Sequence, residues 1–158
     1  MDNFFSVKGK VALVTGGSRG IGLMIAKGYV ESGVKVYISS RNSEVCKEVA
    51  DRLSQHGECI SIPTDLSNEE GVTSLSNKIK SLEPKLNLLV NNAGTNRPEY
   101  FTKIKKEDMD YVVDLNIKAA FHIAQLSSRT MLKLKNRKKI GGSIINMSSQ
   151  LGHVGAPN

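Results

Sequence analysis

The feature that most constrains this chain is an apolar, β-branched run, Lys10–Thr15 (K-V-A-L-V-T), that stops at Gly16 and soon gives way to helical spacing. An apolar run without alternation needs cover on both faces, as a central strand of a parallel sheet has. The unit recurs along the chain. Further strands are predicted at Val34–Ser39, Cys59–Thr64, Leu86–Asn91 and Ser143–Met147. Between them, Ile21–Ser32 repeats apolar residues at Ile21, Met24, Ile25 and Tyr29 and ends at Gly33, and Ser43–Gln55 has Ser43 as N-cap and Gly57 as stop. Ser67–Leu82 carries Ser67 and Glu70 in capping-box spacing, and a polar loop around Thr95–Pro98 leads into a helical pattern from Lys106 to Lys135. Right-handed crossovers alternate such helices between the two faces of a sheet, so an α/β, Rossmann-like doubly wound parallel sheet is expected. No linker or repeat divides residues 1–158.

Composition removes other classes. A hydrophobic content of 39% excludes disorder and collagen-like repeats. No stretch approaches the ~18 apolar residues of a membrane span, and Met1–Lys10 has Asp2 near its start and no long apolar stretch; a soluble, cytoplasmic protein is expected. Cys46 and Cys59 have neither metal-ligand spacing nor the density of a disulfide scaffold, so both are expected to be packing residues and no metal site is predicted. The 22 Lys+Arg exceed the 15 Asp+Glu, giving a formal charge of +7. The excess is densest at Lys133, Lys135, Arg137, Lys138 and Lys139, where a helix C-terminal dipole favours cations. That stretch has no aromatic residue to serve as a stacking platform, so no nucleic-acid partner is expected.

Chemistry enters at Thr15-Gly16-Gly17-Ser18-Arg19-Gly20-Ile21-Gly22. A tight glycine turn between strand and helix aims backbone N–H groups and the positive end of the helix dipole at an anion. Gly16 is expected to permit the turn, Gly20 the approach of a phosphate, and Gly22 the packing of helix on sheet. The spacing G-x-x-x-G-x-G differs from the general G-x-G-x-x-G fingerprint, and a plain connector stays open. The second strand ends Ser39-Ser40-Arg41-Asn42, with no carboxylate before Glu44. A ribose 2′-OH is usually met by Asp or Glu there and a 2′-phosphate by positive charge, so Arg19 and Arg41 favour NADP(H) over NAD(H). The alternative is two solvated arginines.

Taken in order, T-G-x-x-x-G-I-G at Thr15–Gly22, Asp65-Leu66, Asn91-Asn92-Ala93-Gly94, Asn116 and Ile145-Asn146-Met147-Ser148-Ser149 resemble the short-chain dehydrogenase/reductase family. Within it the chain is similar to NADP-dependent members such as 3-oxoacyl-acyl-carrier-protein reductases and the rhamnolipid-pathway reductase. The resemblance implies that Gly16, Ser18, Arg19, Gly20, Ile21 and Gly22 embrace the pyrophosphate and adenosine ribose. It implies that Asp65 accepts from the adenine amino group with Leu66 packed nearby, and that Asn92, Ala93 and Gly94 pass behind the cofactor. Asp65 could equally serve as an anion at the start of the next helix, and N-N-A-G as a simple turn. Asn116 would distort its helix and hold a water of a proton relay, and Ser149, rather than Ser148, would polarise a substrate carbonyl. The bland alternatives are an exposed polar helix residue and an ordinary serine at a strand end. A small-molecule carbonyl or alcohol substrate and, for an intact parent, a homo-oligomer, dimer or tetramer, also follow from the resemblance.

The family donates its proton from Tyr in Y-x-x-x-K, about thirteen positions after Ser149 by family spacing, which falls beyond Asn158. None of Tyr29, Tyr37, Tyr100 or Tyr111 has Lys four residues on. The chain is therefore expected to be the amino-terminal part of an NADP(H)-dependent carbonyl reductase or alcohol dehydrogenase, truncated and inactive by itself. A non-catalytic nucleotide-binding or interaction module is the alternative. The resemblance implies that the first five strands lie in the order 3-2-1-4-5, which would leave the fifth as an unprotected, association-prone edge. Of a substrate pocket, Thr95–Phe101 and Gln150–His153 remain, with His153 a possible but more often incidental contact.

Overall fold

The computed structural model describes residues 5–133 and 141–150. Strands β1 (Val11–Thr15), β2 (Lys35–Ser39), β3 (Cys59–Ser61), β4 (Leu88–Asn91) and β5 (Ser143–Asn146) form one parallel sheet in the order β3-β2-β1-β4-β5. Val14 lies opposite Ile38 on one side and Val90 on the other, so β1 is central. Helices α1 (Gly20–Glu31), α2 (Ser43–Leu53) and α3 (Glu69–Leu82) connect the first four strands. After β4 come a short 3₁₀ turn (Phe101–Lys103), α4 (Lys106–Val113), a π-helical segment (Asp114–Ala119) and α5 (Ala120–Met131).

Period-two alternation along the strands divides the interior into two cores. Val11, Leu13 and Leu89 pack with Val72, Leu75 and Ile79 of α3 and with Leu115, Ala119 and Ile123. Ala12, Val14 and Val90 face the other way, against Ala26 and Val30 of α1 and Val49 and Leu53 of α2. Cys46 and Cys59 belong to this second core, and burial pushes the Cys59 thiol up to about 12. They pack, as expected.

Several local expectations are corrected. The face of α1 turned to the sheet is Gly22, Ala26 and Val30, flanked by the half-buried Ile25 and Tyr29 of the predicted stripe, whereas Ile21 and Met24 are exposed, Met24 by 73%. Small residues at i, i+4, i+8 let α1 lie close over the strands, which the bulkier stripe would prevent. The N-caps are Asn42 and Asn68, not Ser43 and Ser67: their Oδ1 atoms accept from Val45 N–H at 3.0 Å and Gly71 N–H at 2.8 Å. The helical stretch predicted from Lys106 is interrupted by the π turn, and α5 closes at Met131. Of the basic stretch, Lys135, Arg137, Lys138 and Lys139 lie outside the described residues, as does His153. Among the described residues β5 is an edge strand with all four residues exposed, and no helix is long and apolar enough to cross a membrane.

At the end of the sheet away from the glycine turn, Tyr37 donates to Glu83 Oε1 at 2.9 Å and Lys35 Nζ lies 2.5 Å from the same oxygen. This joins β2 to the C-terminus of α3. The hydrogen bond to Glu83 raises the Lys35 pKa, and burial, then Glu83, raises that of Tyr37. Raised folded-state values mean stability that is complete below the unfolded values, about pH 10, and is lost as pH climbs through the folded ones. Urea unfolding between pH 8 and 11.5 should show wild-type stability falling above about pH 10, with a shallower fall for Glu83→Gln. Equal slopes in the two proteins would contradict this coupling.

Candidate functional site

Strand order reverses direction at β1, where the chain leaves β1 toward α1 and leaves β4 toward the opposite face. Such a switch point opens a crevice beyond the carboxyl ends of the strands. Its floor is built on Thr15. The Thr15 hydroxyl accepts from the backbone N–H groups of Asn92 and Ala93, both at 3.0 Å, and donates to the Val90 carbonyl at 3.3 Å. That exhausts its one donor and two lone pairs. Asn92 returns the tie, its Nδ2 donating to the carbonyls of Thr15 at 3.0 Å and Gly16 at 3.3 Å. The Ser39 carbonyl accepts from Gly16 N–H and Gly17 N–H at 2.8 and 3.2 Å, which joins the turn to β2.

Gly16 has φ +67°, and a side chain there would also press on Ala93 Cα at 3.0 Å. A Cβ on Gly22 would fall 2.3 Å from the Gly16 carbonyl oxygen and 2.4 Å from Asn92 Nδ2. Gly22 thus makes room for the turn and the β4 loop, closer neighbours than the sheet itself. Arg19 stands at the N-cap of α1 without a side-chain cap, and the first turn has no acidic residue. The N–H groups there remain available to an anion.

Two cavities line the crevice and share Ile21, Asn92, Ala93 and Gly94. The smaller, about 350 Å³, is lined by Gly16, Ser18, Arg19, Gly20, Ser39, Arg41 and Leu66 as well as the shared residues. Neither arginine is ion-paired with a carboxylate among the described residues; Arg41 instead donates from Nη1 to the Tyr111 hydroxyl. Asp65 is exposed and outside this lining, with its Oδ1 accepting from Ser67 N–H at 3.0 Å. The larger cavity, about 840 Å³, is lined by Asn116, Phe121, Asn146, Ser148 and Ser149 among others. Asn116 sits within the π turn, accepts from Thr95 N–H at 2.9 Å and donates to the Thr95 carbonyl at 2.8 Å. The distortion expected at this position is present, and its side chain clamps the loop after β4. Each cavity has one buried side-chain oxygen in its wall with no partner, Ser39 Oγ in the smaller and Asn91 Oδ1 in the larger.

The sequence motifs include Thr15 and Asn91 but gave neither a role, and Tyr111 entered only as a tyrosine without Lys four residues on. Asn91 Nδ2 donates to the Ala120 carbonyl at 3.0 Å and Asn146 Oδ1 at 2.9 Å, joining β4 to α5 and β5. Polarity inside an apolar strand was the available signal for Asn91.

Replacing Thr15 by Val keeps the side-chain shape and strands two N–H groups, at about 1–3 kcal/mol for each unsatisfied donor. Urea denaturation should show Thr15→Val destabilised by about 2 kcal/mol or more and Thr15→Ser much less. Equal stability of the two variants would contradict the role of the hydroxyl.

A family model for short chain dehydrogenase matches residues 10–158. The rhamnolipids biosynthesis 3-oxoacyl-[acyl-carrier-protein] reductase of Pseudomonas aeruginosa is 39% identical over 152 residues, covering 96% of this chain and 59% of that protein. The 3-oxoacyl-[acyl-carrier-protein] reductase FabG of Staphylococcus aureus is 34% identical over 150 residues, with 94% and 59% covered. A solved Pseudomonas aeruginosa RhlG/NADP active-site complex matches with a TM-score of 0.91 at 36% identity, covering 100% of this chain and 61% of that one. The chain therefore spans about three-fifths of the length of these relatives.

Proposed function

Because the chain belongs to the short-chain dehydrogenase family, we propose that its crevice holds NADP(H) and serves hydride transfer between nicotinamide and a small carbonyl compound or secondary alcohol. The observation that carries this reading is a pair of guanidinium groups, Arg19 and Arg41, in one small cavity with no carboxylate paired to either among the described residues. Unneutralised charge in a recess beside an uncapped helix N-terminus suits a ligand with several phosphates. An NAD site would place a carboxylate there, which makes NAD(H) the weaker choice.

In this reading Gly16, Ser18, Gly20, Ile21 and Gly22 form the pyrophosphate turn, and Arg19 and Arg41 bind the 2′-phosphate. Leu66, in the cavity lining, packs near the adenine, Asp65 beside it in the chain accepts from the adenine amino group with the oxygen not taken by Ser67 N–H, and Asn92, Ala93 and Gly94 let the backbone pass close behind the cofactor. The bound nicotinamide supplies the hydride. Ser149 polarises the substrate oxygen, and Asn116 fixes the loop at Thr95 beside it. General acid chemistry at the nascent alkoxide needs a donor such as the family's Tyr-x-x-x-Lys pair, and these 158 residues contain no Tyr with Lys four positions on.

Fluorescence titration of the purified chain should give binding of NADPH at least about tenfold tighter than of NADH, with the preference lost in Arg19→Ala/Arg41→Ala. Equal affinities would overturn the NADP reading. Turnover of a simple ketone by these 158 residues with NADPH should lie at least ~10²-fold below that of full-length relatives, the lower bound of a general acid's contribution. Turnover at the relatives' rate would show that the reaction needs no such pair.

A further inference from the structure

We propose that Tyr111 is a positioning residue that sets the selectivity of the small cavity for a 2′-phosphorylated nucleotide, by holding the Arg41 guanidinium in place without neutralising it. The inference rests on the NADP(H) reading of that cavity and adds a residue outside it. Arg41 lies just past the end of β2, at residues Lys35–Ser39, and Tyr111 lies on α4, at residues Lys106–Val113. Although 70 positions apart in sequence, they meet through a hydrogen bond from Arg41 Nη1 to the Tyr111 hydroxyl.

The chemistry of the acceptor decides the consequence. A carboxylate in its place would orient the guanidinium equally well, but it would also cancel the charge that an incoming phosphate needs. A neutral phenol takes one N–H and leaves the rest of the fork and its full positive charge to the ligand. Exposed arginine side chains otherwise lose considerable rotamer freedom on binding, so orientation fixed in advance raises affinity for the anion.

The phenol is itself held. The Arg97 guanidinium lies 5.1 Å from the centre of the Tyr111 ring, and Arg97 Nε is 3.9 Å from Asp108 Oδ1. Arg97 belongs to the loop after β4, and Asp108 stands one helical turn before Tyr111 on α4. A cation on the ring face and the helix beneath restrict where the hydroxyl can point. The cluster therefore joins three segments, the end of β2, the loop after β4 and α4, around one tyrosine side chain.

The test compares the wild type, Arg41→Ala, Tyr111→Phe and the double variant, by titrating NADPH and NADH and, as fragments, adenosine 2′,5′-bisphosphate and 5′-AMP. Phe keeps the ring and its contact with Arg97 and removes only the hydroxyl. The expected result is a fall of about three- to tenfold in the affinity of Tyr111→Phe for the 2′-phosphorylated ligands, with NADH and 5′-AMP unchanged. In the Arg41→Ala background, Tyr111→Phe should change nothing further. If the wild type shows no preference for 2′-phosphate, the reading of the cavity fails and this proposal with it. If the wild type and Arg41→Ala behave as expected but Tyr111→Phe leaves the selectivity ratio unmoved, or weakens all four ligands alike, the positioning role alone is overturned. A further loss of selectivity in the double variant over Arg41→Ala would also overturn it.

Discussion

Two halves of the crevice meet at a single side-chain oxygen, the hydroxyl of Thr15, which accepts the N–H groups that begin the β4 loop and donates to the strand before it. Because β1 is central and its neighbours β2 and β4 leave toward opposite faces, the carboxyl end of the sheet would otherwise be a gap with loose walls. Thr15 and Asn92 close that gap from below and leave it open above. Gly22, with no room for a Cβ beside the Gly16 carbonyl, lets α1 begin at the same point. The glycine turn, the N-terminus of α1 and the Asn92–Gly94 loop are thus placed relative to one another by a few hydrogen bonds among residues 75 to 78 positions apart.

The electrostatics follow from that placement. Helices α2 and α3 have their first N–H groups capped by Asn42 and Asn68, whereas α1 begins at Arg19 with no side-chain cap. The positive end of the α1 dipole and the Arg19 and Arg41 guanidinium groups face one recess. Elsewhere the basic side chains Lys27, Lys106 and Lys118 pair with acidic residues four positions away on their own helices, so the overall charge of +7 says less than the local imbalance at this recess. The larger cavity is different in kind, with asparagine and serine side chains and no Lys or Arg in its lining.

Much of this was legible in the sequence, and the rest was not for separate physical reasons. Unbroken runs such as K-V-A-L-V-T gave the strands and their parallel arrangement, and the glycine spacing and N-N-A-G gave the crevice its address. Short-range choices between adjacent residues failed, as at Asn42 over Ser43 and Asn68 over Ser67, because both members of each pair are good caps. The apolar stripe of α1 was half right: Ile25 and Tyr29 pack against the core, but Ile21 and Met24 are exposed and Ala26 and Val30 join Gly22 against the sheet, because only the closeness of helix to sheet makes small size decisive. The contact of Tyr111 and the role of Thr15 were invisible because their partners are distant in the chain, and nothing in local pattern links an α4 tyrosine to an arginine after β2.

The central claim is that the turn after β1 and the arginines beside it form one anion-receiving surface. Backbone amide mapping by ¹H–¹⁵N NMR during titration with adenosine 2′,5′-bisphosphate tests it most directly. The largest shifts should fall on the amides of Gly16–Gly22 and around Arg41, and with 5′-AMP those around Arg41 should shrink while those of the turn persist. Shifts concentrated on another surface, or a turn left unmoved by both ligands, would contradict the account.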